Sequence, residues 1–264
     1  MFKPRLLRET AEIAFTEIKR HLEPKMAEAF SLRRVSTPLY LPAGSPLLDP
    51  GKCVEFTLPH SGERMAIVRG LDRWMARQLL RYDIASGFGV FAVMNGIRPE
   101  TEESTISSPQ VDAWVLRQTI DEADSAEELL ENAARKMFSL FQGAEERILE
   151  LFPHLDATLP SKTKVTTPAD MQAANPEASP ERAEYLYNHT HTDRAVVVVE
   201  GDRASLSVWN STVGRPLLLA DFSVLPAFAI PGSSAPVPRS IGATVYRDRL
   251  AMQLLHQSSL LDKI

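Results

Sequence analysis

The chain has 264 residues, 44% hydrophobic and 24% charged, a length that permits one large domain or two small ones and needs no covalent staples to bury a core. Its 29 Lys and Arg against 34 Asp and Glu give a net charge of −5, which argues against the basic footprint of a nucleic-acid binder. The single cysteine, Cys53, excludes an intramolecular disulfide framework and a cysteine-based zinc cluster, and no apolar run approaches a membrane span. The first eight residues carry basic side chains without the apolar core or cleavage site of an export signal. A cytoplasmic protein is expected.

From Leu7 to Phe30, apolar residues at Ala11, Ile13, Ala14, Ile18, Leu22, Met26 and Phe30 follow helical spacing, and Pro24 is expected to break or kink that helix. Four prolines between Ser36 and Pro50 mark a turn-rich loop with short extended pieces. Val54 to Leu58 and Arg64 to Val68 flank the turn Pro59-His60-Ser61-Gly62 and read as a hairpin. Leu71 to Tyr82 has a helical pattern, with Leu71, Trp74, Met75 and Leu79 on one stripe. Gly87 to Ile97 reads as a buried strand ending at Arg98-Pro99, and Pro109 to Thr119 as its antiparallel return. Ser125 and Glu128 make an S-x-x-E capping box that opens a long helix through Leu151.

Leu159 to Pro180, rich in Pro, Thr and Ser, reads as a loop with one short helical turn. Asp193 to Glu200 and Ala204 to Trp209 form a hairpin around Gly201-Asp202, and Leu217 to Leu225 a third strand. Four prolines make Pro226 to Arg239 a mobile loop, and a last helix is expected from Tyr246 to Leu261. No internal repeat emerges. Strand pairs followed by helices, rather than alternating strand and helix, predict an α+β fold with a central antiparallel sheet, in a single domain over residues 1–264.

Chemistry is sparse. Gly87-Phe88-Gly89 lacks the third glycine of a dinucleotide fingerprint and precedes a strand. On an extended strand His189, His191 and Asp193 would share one face and converge on a metal ion, although the same run also reads as a polar lead-in to the valines that follow. Asp121, Glu122 and Asp124 precede a helix start, where they suit its dipole. Arg98, at the end of a buried strand, and Arg249, near the start of the last helix, are the pair an ATP-using carboxylate activator needs, one for the α-phosphate and one for the γ-phosphate. On composition alone, either reads more readily as an ordinary surface or ion-pair residue.

Residues Ala66 to Leu116 resemble asparagine synthetase A, the ammonia-dependent aspartate ligases built on the class II aminoacyl-tRNA synthetase fold. The resemblance rests on L-D-R-W-M-A-R-Q-L-L-R-Y-D (71–83), Ser86 to Gly89, M-N-G-I-R-P-E (94–100) and V-D-A-W (111–114), with weaker echoes in the first helix, in Val208-Trp209-Asn210 and in S-I-G-A-T-V-Y-R-D-R-L (240–250). It implies a class II core, ATP with Mg2+, a small carboxylic or amino acid substrate, no nucleic acid or membrane partner, and a homodimer paired around Pro38. It places Arg98 on the α-phosphate, Arg249 on the terminal phosphates, Glu100 near the adenine end and Asp49 in the substrate pocket.

The departures are as specific. The family's substrate-binding lysine falls at Met75, and the glutamine and aspartate of its D-Q-W-D strand become Ala113 and Val115, two positions that share one face. The acidic and serine residues after V-W-N are replaced by Leu217-Leu218-Leu219, the glycine-rich lead-in to the last arginine is thinned to Gly242-Ala243-Thr244, and an acidic segment after Glu200 is missing. Two readings follow. The first is a ligase that adenylates a carboxylate other than aspartate for transfer to ammonia or an amine; the second is a non-catalytic paralogue with a binding or regulatory role, or one repurposed for an ATP-independent reaction.

Overall fold

The computed structural model describes residues 5–229 and 235–257. In chain order the elements are α1 (Arg8–Ala29), β1 (Leu32–Arg34), β2 (Tyr40–Pro42), β3 (Glu55–Thr57), β4 (Arg64–Ile67), α2 (Asp72–Arg81), β5 (Gly89–Ile97), β6 (Gln110–Thr119), α3 (Ala126–Leu151), β7 (Lys162–Thr166), α4 (Pro168–Ala174), α5 (Pro180–Thr190), β8 (Arg194–Glu200), β9 (Arg203–Asn210), β10 (Arg215–Leu225), β11 (Ser240–Tyr246) and α6 (Arg247–Leu254). Eight strands form the main sheet in the order β1-β5-β6-β11-β10-β9-β8-β7. Its interior pairs are antiparallel, as expected, while both edge pairs, β1 with β5 and β7 with β8, are parallel. The hairpin β3–β4 gains β2 and stands apart as a second, three-stranded sheet.

Strand alternation sorts β6 cleanly. Trp114 and Leu116 join the core under α1 and α3, while Val111, Ala113 and Val115 face α2 together with Val90, Ala92 and Met94 of β5. Ser125 caps α3 through its side chain, accepting from the backbone N–H of Glu128, which is one half of the expected box; the full reciprocal box is at Thr167 and Asp170, at the start of α4. Pro24 neither breaks α1 nor ends it: Leu22 and Met26, on either side, stay on the buried stripe. Pro24 and Arg20 are exposed, so the carbonyl that loses its partner lies where water can serve it. Ile13, expected on that stripe, faces solvent at 55% exposure.

Three stretches carry more structure than the sequence pattern shows. Between Leu159 and Pro180 lie β7 and α4, and α5 runs on from Pro180. Both helices begin with Pro after a capping hydroxyl, Thr167 and Ser179, so residues that looked like loop composition are helix-start chemistry. β11, which the sequence pattern does not announce, is a central strand between β6 and β10. Of the stretch Pro226–Arg239, residues 230–234 lie outside the described residues, and Phe228 pairs with Val237 in an antiparallel bridge. The last helix ends at Leu254, and the expected continuation over 258–261 lies outside the described residues. Among the described residues no helix is long and apolar enough to cross a membrane.

Candidate active site

α2 covers β5 and β6, while Met171 of α4 and Tyr187 of α5 pack on Val196 of β8. Between these two covers the same sheet face stays open and forms two adjoining cavities of about 460 and about 880 Å³, which share Asp72, Arg98, Arg203 and Leu225. Ser205, Asp221, Ser223 and Thr244 line the smaller one, and Asp49, Arg69, Arg73 and Glu100 the larger.

Asp221 and Ser223 reach the cavity because of a register shift. β10 pairs Leu218 with Ser207 and Ala220 with Leu206 of β9, leaving Leu219 as an extra residue. Such a bulge re-aims every side chain beyond it. Leu217, Leu219 and Ala220 all enter the α3-side core, and Asp221 and Ser223 turn to the opposite face. Strict alternation from Leu217 would have buried both. The strand beyond the leucine run thus carries an acid and a serine on the cavity face, two and four residues past Leu219.

Arg98 leaves the end of β5 and is held at two atoms. Its Nε donates to the Arg69 carbonyl at 3.2 Å and its Nη1 to the Tyr246 hydroxyl at 3.2 Å. Tyr246 in turn donates to Asp221 Oδ2 at 2.6 Å. On the ring of the same tyrosine sits Arg249, its guanidinium carbon 4.4 Å from the centroid, with that of Arg98 at 5.9 Å. The two arginines singled out in the sequence thus meet at one phenol. Burial opposes the Arg98 charge, but the oxygens of Tyr246 and Asp221 outweigh it and raise its affinity for the proton. Burial also pushes Asp221 up against the pull of Tyr246, Arg98 and Arg249, and pushes the Tyr246 phenol up to about 12.

A fully buried arginine escaped the sequence reading. Arg117 of β6 is 0% exposed, and its Nη2 donates to Asp72 Oδ1 at 2.6 Å and to Ser223 Oγ at 3.3 Å, with Nη1 on Ser240 Oγ at 3.3 Å. It holds the first residue of α2 against the sheet at the cavity wall. The available signal was its position, two residues beyond Val115 on a face otherwise apolar.

The remaining candidates are placed as follows. Asp49 lines the larger cavity, and both its oxygens accept backbone N–H groups at the start of α2, from Asp72 at 3.0 Å and Arg73 at 3.1 Å. Burial and the Asp72 charge raise its pKa against those two bonds. Glu100 is exposed at the cavity rim and paired with Arg69; its own backbone N–H, then Arg69, hold its carboxyl below the usual range. Met75, Ala113 and Val115 lie in the core between α2 and the sheet, and none of them lines either cavity.

The strand geometry expected for His189, His191 and Asp193 is overturned, because Pro180 with the Ser179 cap starts a helix that runs through His189. The His189 ring packs on Tyr185 and Trp209, while His191 stacks on Tyr187. Among the described residues no group of three His, Cys, Asp or Glu side chains is placed to hold a metal. Asp72 and Asp221 on one cavity do fit Mg2+, which takes one or two carboxylates and fills its shell with phosphate oxygens and water.

The aspartate–ammonia ligase family matches residues 9–206. The chain belongs to that family. It is similar to aspartate–ammonia ligases of Fusobacterium nucleatum, 32% identical over 66% of this chain and 54% of the relative, and of Bacillus cytotoxicus, 31% identical over 68% and 56%. The chain thus spans just over half the length of these relatives. Arg98, Asp49, Glu100 and Arg117 fall within the family match, whereas Asp221, Tyr246 and Arg249 lie beyond it. Among solved structures, the asparaginyl-tRNA synthetase of Entamoeba histolytica superposes with a TM-score of 0.67 at 12% identity, covering 97% of this chain and 66% of the other. That of Pyrococcus horikoshii, complexed with asparaginyl-adenylate, gives 0.68 at 10% identity over 95% and 67%. At these identities the likeness establishes the class II synthetase-like α+β fold.

Proposed function

We propose that this chain is an ATP-dependent, amide-forming ligase that adenylates a small carboxylic or amino acid other than aspartate and passes the acyl group to ammonia or an amine. The observation that carries the reading is the convergence of Arg98 and Arg249 on Tyr246, with Arg98 lining the open cavities. In this reading a substrate carboxylate oxygen attacks the α-phosphorus and pyrophosphate leaves with the bonding pair. Arg98 balances charge growing on the α-phosphate, and Arg249 orients the leaving phosphates. The amine then attacks the acyl carbonyl, loses a proton and expels AMP. Bound Mg2+ would neutralise the phosphates, with Asp221 and Asp72 as its protein ligands. Glu100 marks the adenine side and Asp49 the substrate side of the larger cavity.

A substrate other than aspartate is supported by the apolar seating of Met75, Ala113 and Val115, the positions at which the resemblance expects lysine, glutamine and aspartate. Asp221 and Ser223 on the cavity favour the catalytic over the non-catalytic reading. The protein is taken as a cytoplasmic homodimer that uses neither nucleic acid nor membrane; exposed Leu39, Tyr40 and Phe56 beside Pro38 support the pairing surface.

Pyrophosphate release, measured over a panel of carboxylic and amino acids with ammonia and amines, tests this directly. An acid other than aspartate should give the highest rate, and Arg98→Ala should lower it about 100- to 1,000-fold. Release with no acid would sink the ligase reading, and aspartate as the best acid would sink the substrate assignment.

A further inference from the structure

Tyr246 ends β11 directly before α6, and at 4% exposure it is fixed from every side. Arg98 and Asp221 carry opposite charges, line the same cavity, and yet make no direct ion pair. Two such groups attract strongly in a partly dehydrated site. The phenol oxygen stands between them, 3.2 Å from Arg98 Nη1 and 2.6 Å from Asp221 Oδ2. A guanidinium only donates, so the phenol must accept from Arg98 and spend its own hydrogen on Asp221. The order of the chain is thereby set. The ring completes the device, since Arg249 lies over it at 4.4 Å and pins the plane in which the hydroxyl points.

We propose that Tyr246 is a positioning residue, a spacer that keeps Arg98 and Asp221 from closing on each other so that both remain turned to the nucleotide. This rests on the nucleotide-binding reading above, because a spacer between two cavity groups matters only if both have a ligand to meet. Nothing in the chain's family match covers the position, which lies forty residues beyond its end.

The test compares Tyr246→Phe, which keeps the ring and the packing, with Tyr246→Phe/Asp221→Asn, which also removes the carboxylate that would capture Arg98. Crystal structures should show a direct Arg98–Asp221 ion pair in the single variant and Arg98 back in place in the double. AMP, which offers only the α-phosphate, should bind about tenfold more weakly to Tyr246→Phe by calorimetry and recover to within about threefold of the parent in the double variant. A residue with a merely structural role would give no such recovery. Arg98 unmoved in Tyr246→Phe, or a double variant as weak as the single, would overturn the proposal. Asp221→Asn alone keeps an acceptor for the phenol, so displacement of Arg98 there would overturn it too, and this variant decides the matter if Tyr246→Phe does not fold. If the parent binds neither AMP nor ATP while the ion pair still forms in Tyr246→Phe, the nucleotide reading fails and the spacer stands.

Discussion

A single glycine shows how tightly the cavity wall is built. A Cβ on Gly242 would lie 2.5 Å from Arg117 Nη2 and 2.7 Å from its guanidinium carbon. Arg117 is fully buried and tied to Asp72, Ser223 and Ser240, so it has little room to yield. Gly242→Ala should therefore destabilise the protein by about 1–3 kcal/mol, read as a lower urea midpoint at unchanged slope. An unchanged midpoint would mean that Arg117 relocates freely. The same pair explains what sequence reading could and could not find. Arg98 was legible because it ends a strand of obvious pattern; for Met75, Ala113 and Val115, alternation and the α2 stripe made the shared apolar layer legible, but not that it lies away from both cavities. Arg117 was hidden because a charge in a buried strand looks like a break in pattern until its partner, one residue into α2, is known. Asp221 and Ser223 were hidden by the bulge at Leu219, which depends on pairing with β9 and leaves no local trace.

At the scale of elements, the start of α2 and the α1–α3 contact each invite a measurement. Asp49 supplies the cap that Leu71, in the N-cap position, cannot. Asp49→Ala should cost about 1 kcal/mol through lost capping, visible in a denaturant titration, while Asp49→Asn keeps an acceptor and should cost much less. If Asp49 also touches substrate, Asp49→Asn should still slow pyrophosphate release; an Asn variant as active as the parent would confine Asp49 to capping. His21 of α1 lies against Gly143 of α3, and its Nε2 is buried without a hydrogen-bond partner. Burial first, then Lys25 and Arg147, lower its pKa from 6.5, with Glu150 and Glu146 opposing. The folded state thus takes up the imidazole proton less readily than the unfolded state. Its contribution to stability is full above the unfolded value and is lost as pH falls below it. Between about pH 7 and about pH 5 the melting temperature of His21→Gln should fall less than that of the parent; parallel curves would dismiss the effect. Elements with strong periodicity, such as α2 and α3, were legible within a few residues. β11 was not, because Gly242, held small by the arginine across the ladder, interrupts the strand pattern.

For the whole molecule, the sheet order makes partial folding unprofitable. β11 pairs with β6 on one side and β10 on the other, so the segment from Ser240 to Tyr246 joins the half built from β1, β5 and β6 to the half built from β7 to β10. A single domain should therefore unfold in one calorimetric transition with equal calorimetric and van't Hoff enthalpies; two separated peaks would divide it. Antiparallel pairing and helix placement were readable from the order of strands and helices, but strand neighbours far apart in sequence carry no local signal. This has a consequence for how the chain comes into being. On the ribosome, every strand from β6 to β10 must emerge before the keystone strand exists, and until then β6 and β10 each present an unpaired edge. Such edges invite pairing with other chains, and closure of so distant a contact is slow. The nascent protein thus passes through a vulnerable interval whose length is set by where in the gene β11 is encoded, and its yield should depend on chaperone supply more than its final stability would suggest.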